Sequence, residues 1–152
     1  GVQEKGETLA TRLEQGLDAI RERAAARPRR PRVFFEEWYD PLISGIRWTE
    51  ELVAIAGGEP IFPELAHASL AKDRIVTSEQ VIERAPEVII GSWCGKPVRR
   101  ERIASRPGWS TVPAVRDGRI FEVKSTYILQ PGPAALTDGV SQLEAILRSC
   151  AE

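Results

Sequence analysis

At 152 residues the chain is long enough for one domain with a core of its own. Hydrophobic residues make up 42% and charged residues 28%, the ordinary balance of a globular protein. The net charge of -1 argues against nucleic acid or an anionic membrane as the main partner, and no apolar run is long enough to span a bilayer.

Residues Glu4 to about Ala26 read as a helix. Leu9, Leu13, Leu17 and Ile20 recur at three- and four-residue spacing and draw one narrow apolar stripe, which suits a helix laid over a domain or joining two lobes. The Pro-interrupted run Arg27–Arg32 ends it, either as a solvated helix end whose cations favour the helix dipole or as an anion patch. Val33-Phe34-Phe35-Glu36 is the first strand, followed by a loop through Pro41 and Gly45. Thr49 is placed to cap a helix whose apolar positions Leu52, Val53 and Ile55 precede the stop Gly57-Gly58. Pro60–Phe62 reads as a short edge strand.

Thr77-Ser-Glu-Gln80 has the form of a capping box and opens a helix from about Ser78 to Arg84; the run from Glu87 to Ser92 is a buried strand. A short basic helix follows from about Arg99 to Ser105. Val112–Val115 and Arg119–Val123 flank Asp117-Gly118, a strong turn signal. The last helix runs from Pro133 to about Ser149, with Leu136, Val140, Leu143, Ile146 and Leu147 on one face. Strands alternating with helices give an α/β fold: a Rossmann-like three-layer lobe with a small, mainly parallel sheet of four or five strands, preceded by a long helix.

Ligands of open α/β sheets bind at the carboxyl ends of the strands. Three loops are expected there. They carry Glu37, Trp38 and Tyr39; then Trp93, Cys94 and Lys96; then Tyr127 and Gln130. Aromatic surface with a few polar groups suits a large, flat, partly polar ligand, although any single aromatic there also fits an edge-of-core role. Trp93-Cys94-Gly95-Lys96-Pro97 also resembles the Trp-Cys-Gly-Pro-Cys of thioredoxin-like proteins, but Pro97 stands where the resolving cysteine would be, and the one histidine, His67, has no evident tie to Cys94. A cysteine-dependent redox enzyme is therefore only an alternative. Cys94 and Cys150 have no metal-ligand spacing, and two distant cysteines are a thin basis for a bridge. Glu79, in the first turn of its helix, either favours the helix dipole or docks a basic partner.

The order of these pieces resembles the carboxyl-terminal half of periplasmic binding proteins that serve ABC importers of cobalamin, haem and iron siderophores. Phe34–Gly45, Ala56–Glu59, Leu129–Pro133 and above all Val76–Ile90 carry the resemblance, with the cobalamin-binding subgroup nearest. It implies an interlobe helix over residues 1–30 and a ligand-binding lobe over 31–152, with the amino-terminal lobe in a longer parent. The lack of any methionine leads to the same expectation of a longer parent. The resemblance further implies no covalent chemistry, no resident cofactor or metal, a corrinoid ligand with haem or ferric siderophore as alternatives, and Glu79 docking on the permease. It implies a periplasmic or lipid-anchored protein, and Trp38 and Tyr39 facing the ligand. Thr126 and Gln130 occupy positions where the known cobalamin binder has an aspartate and an arginine.

Overall fold

The computed structural model describes all 152 residues. It contains α1 (Val2–Ala25), β1 (Arg32–Tyr39), β2 (Leu42–Ser44), α2 (Arg47–Ile55), β3 (Glu59–Pro60), α3 (Ser78–Arg84), β4 (Val88–Gly91), α4 (Arg100–Ala104), α5 (Pro113–Arg116), β5 (Ile120–Glu122), α6 (Ser125–Ile128) and α7 (Val140–Cys150). The sheet order is β2-β1-β4-β5, with β3 also on β1. β3, β4 and β5 run parallel to their neighbours, and only β2 is antiparallel.

Strand residues alternate between two cores. Val33, Phe35, Val88 and Ile90 join one cluster with Leu52, Val53, Leu143 and Leu147 from α2 and α7. Phe34, Ile89 and Ile120 join the other, with Phe62, Val81, Ile103 and Trp109. A sheet apolar on both faces requires a cover on each, and the alternation delivers the three-layer lobe expected from the sequence.

α3 begins where its capping box places it. Thr77 Oγ1 accepts from the Gln80 amide at 3.1 Å, and Gln80 Oε1 accepts from the Thr77 amide at 2.8 Å. Gly57, at φ +102°, ends α2; a Cβ there would come within 2.8 Å of an Arg27 nitrogen and 3.1 Å of the Ala24 Cβ. The close approach lets the end of α1 sit on α2. α1 buries Ile20 and Ala24 only, near its end. Arg23 holds both Glu144 oxygens of α7, at 2.7 and 2.8 Å, and its hydrogen bonds hold the Glu144 carboxyl below the usual carboxylate range. Leu9, further up the stripe, is exposed.

Several local expectations are overturned. Thr49 lies inside α2, whose cap position is Ile46; its hydroxyl donates to the Ile46 carbonyl at 2.7 Å. The edge strand is Glu59–Pro60, set just before Pro60–Phe62 would put it. Asp117-Gly118 joins helix α5 to the parallel strand β5, because Ile120–Glu122 pairs with Ile89–Gly91 and leaves no hairpin partner at Val112–Val115. A π-helical stretch, Ala135–Gly139, leads into α7. The arginines at 27–32 form no free anion patch. Arg27 donates to the Ala56 carbonyl and Arg30 to those of Ala54 and Gly58, so they satisfy the carbonyl end of α2 rather than that of α1. Arg29 and Arg32 pair with Glu87. Cys94 is exposed, Cys150 is buried, and both are free thiols.

Candidate functional site

Glu37, Trp38 and Tyr39 were expected on a loop, but β1 continues through all three into a hairpin with β2, turned at a cis Asp40–Pro41 peptide. A bulge stands at Glu37, where the register shifts between Glu36–Ser44 and Trp38–Ile43. Bulges sharpen strand twist. Beyond it both Trp38 and Tyr39 rest against the same core cluster. Their ring centroids are 4.6 Å apart, and Tyr39 lies 4.5 Å from Trp93. The three rings form a continuous but tilted stack, with 32° and 46° between successive planes, at the carboxyl end of β1 and β4.

Within that stack the roles differ. Trp93 is only 3% exposed, so it is a supporting core residue and not the exposed loop aromatic expected from sequence. Its Nε1 donates at 3.1 Å to Glu36, a carboxylate with no exposure at all. Arg106 neutralises Glu36 through two bonds of 2.6 and 2.8 Å. Trp38 and Tyr39 are half-buried and present the outer surface.

Glu37 does not face this surface. Its carboxylate accepts from Arg74 at 2.7 Å and from the Ile46 amide at 3.0 Å, tying the base of the hairpin to the segment before α3. Arg74 also donates to the Ser44 carbonyl. Buried beside them, Glu50 has its carboxyl pushed up to about 8 by burial, against the opposing pull of the Gly45 amide and the Arg74 charge.

Two shallow recesses flank the ring stack. One, of about 280 Å³, is lined by Trp93, Gly95, Lys96, Pro97, Glu122, Lys124, Ser125 and Thr126. The other, of about 320 Å³, is lined by Tyr39, Trp93, Lys96, Pro97, Arg99 and Arg102. Lys96 lines both, as do Trp93 and Pro97. The Lys96 Nζ sits 3.2 Å from the Tyr39 hydroxyl and 5.6 Å from the Trp38 ring centroid. The bond from Lys96 holds the Tyr39 phenol below the usual tyrosine range. The Arg102 guanidinium lies 4.2 Å over the Tyr39 ring.

Of the residues expected to form the site, the structure brings together Trp38, Tyr39, Trp93 and Lys96. Cys94 is exposed on the same loop but lines neither recess. Tyr127 lines a different depression with Asp138, Ser141 and Gln142, and Gln130 is exposed outside all of these. The last loop reaches the site through Ser125 and Thr126, because residues 125–128 coil into α6. The Ile128 carbonyl of α6 accepts from Trp48 Nε1 at 2.8 Å, which pins that helix to α2. Glu36, Arg99, Arg102 and Arg106 escaped the sequence reading; a carboxylate inside an apolar strand run was the one signal that pointed to a buried partner. Glu79 is exposed in the first turn of α3 and lines neither recess. No three His, Cys, Asp or Glu side chains stand close enough to share a metal ion.

A sequence model of the periplasmic binding protein family matches residues 1–127. The chain belongs to that family. No curated protein matches it. Among solved structures, the chain is similar to an ABC transporter substrate-binding protein from Listeria monocytogenes EGD-e. That match has TM-score 0.81 and 17% identity, over 96% of this chain and 58% of that one. The periplasmic vitamin B12 binding protein BtuF of Vibrio cholerae matches with TM-score 0.71 and 24% identity, over 97% and 55%. The periplasmic heme-binding protein RhuT from Roseiflexus sp. RS-1 matches with TM-score 0.71 and 25% identity, over 97% and 58%. The chain thus spans little more than half the length of these structures.

Proposed function

We propose that this chain is the carboxyl-terminal lobe of the substrate-binding component of an ABC importer, and that it contributes half of a site for cobalamin or a related metal chelate. The observation that carries the reading is the Trp38–Tyr39 surface, backed by Trp93, at the carboxyl ends of parallel strands. Half-buried aromatic side chains offer contact area to a large, partly apolar ligand at little entropic cost. Similar structures are named for vitamin B12, heme and Fe3+-hydroxamate transport, so haem and ferric siderophore are the alternative ligands. In the parent protein α1 carries the chain from an amino-terminal lobe, and the Arg23–Glu144 clamp fixes its angle to this lobe. Glu79 docks on the permease. The protein then works outside the cytoplasmic membrane, free or lipid-anchored, by non-covalent capture and without an enzymatic step.

Calorimetric titration of the two-lobed parent with cobalamin, and with haem and a ferric hydroxamate as comparisons, tests this. Saturable one-to-one binding of one of them is expected; binding of none overturns the reading. Glu79→Lys should stop uptake by the reconstituted importer while leaving ligand affinity unchanged.

A further inference from the structure

The recess beside Tyr39 holds positive charge that touches the aromatic rings but is balanced by no carboxylate. Lys96, Arg99 and Arg102 all line it, all are exposed, and none makes an ion pair. No carboxylate is among its lining residues. Arg106, two residues beyond α4, shows the contrast: it is committed to Glu36 and stacks 4.6 Å from the Trp109 ring. The one acid in the adjoining recess, Glu122, accepts the Val98 amide. Three like charges converging on one concave surface repel one another, and an incoming anion relieves that repulsion.

The donor chemistry is also in place. Lys96 supplies its bond to the Tyr39 oxygen, which leaves the phenolic proton free to donate outward. The Arg102 guanidinium, 4.2 Å from the Tyr39 ring centroid, carries five N–H donors, more than its contact with Tyr39 uses, and a fork of such donors suits a carboxylate or phosphate oxygen. We infer that the recess of Tyr39, Lys96, Arg99 and Arg102 is an anion subsite that receives a carboxylate or phosphate group carried by the chelate lying on Trp38 and Tyr39. This rests on the chain being a ligand-binding lobe, and it adds that the preferred ligand is anionic at its periphery.

The test titrates the chain with sodium citrate and with inorganic pyrophosphate at constant ionic strength, read by tryptophan fluorescence and by the amide shifts of Gly95, Lys96 and Arg102. Saturable binding of at least one is expected. It should weaken roughly tenfold or more in Lys96→Gln/Arg102→Gln, since two charge-assisted bonds are lost. A preference for citrate assigns carboxylate, and a preference for pyrophosphate assigns phosphate. Lys5→Gln/Arg12→Gln, which removes the same charge from exposed α1, should bind like the parent chain. Absence of saturation, or equal weakening in both double variants, overturns the subsite. In the two-lobed protein, Lys96→Gln/Arg102→Gln that holds cobalamin and haem at unchanged affinity also overturns it and leaves the transport reading intact. If the two-lobed protein binds no chelate while the chain binds citrate or pyrophosphate, the transport reading fails and the anion site stands.

Discussion

Removing Arg106 should destabilise the lobe more than any other single charge deletion near the site. Glu36 lies in the middle of β1 with zero exposure, and its oxygens accept two bonds from Arg106 and one from Trp93 Nε1. Arg106→Met leaves that carboxylate buried with only an indole N–H for company. Deleting one partner of a buried pair costs about 3–5 kcal/mol. Arg106 retains 14% side-chain exposure, so water can reach the vacated space and the lower end, about 3 kcal/mol, is the better figure. For a domain of this size that lowers Tm by roughly 6–12 °C. Thermal and urea unfolding followed by circular dichroism measure it. Adding Glu36→Gln to Arg106→Met removes the stranded charge and should recover a good part of the loss, giving a non-additive cycle. A loss under about 1 kcal/mol for Arg106→Met, or strict additivity of the two changes, would refute the reasoning.

Other consequences can be checked separately. Glu50 is held near 8 in the folded lobe, well above its ordinary value of 4.5, so the folded state binds the extra proton. Its stabilising contribution is complete below about pH 4.5 and declines as pH rises to about 8, at no more than about 1.4 kcal/mol per pH unit; Glu50→Gln should flatten that slope in urea denaturation across the same window. On the proposed function, Trp38→Ala in a two-lobed parent should weaken chelate binding roughly 10- to 100-fold, and unchanged affinity in calorimetry at a temperature where the variant is folded would remove Trp38 from the site. Thr77→Ala should cost about 1 kcal/mol through the lost α3 cap, measured by urea unfolding. Cys94 should react promptly with a thiol reagent in the native lobe, whereas Cys150 should react only on unfolding; equal rates would contradict their burial.

What the sequence decided by itself is whatever depends on near neighbours. The start of α3 follows from a four-residue capping box, and the buried character of Val88–Ile90 follows from an unbroken apolar run. The three-layer architecture follows from strands and helices in alternation, since a sheet apolar on both faces can only be covered twice. Tertiary structure decided the rest. Thr49 looked like a cap, but α2 starts earlier, at Arg47. Asp117-Gly118 looked like a hairpin turn, but β5 found β4, and a two-residue signal does not specify which strand its neighbour will pair with. Trp93 looked like an exposed loop aromatic and became a support, because its indole N–H and Arg106 share the buried Glu36. Those partners lie 57 and 70 residues from Glu36 along the chain. Pairings over such separations are set by the packing of whole layers, which a local pattern of residues does not contain.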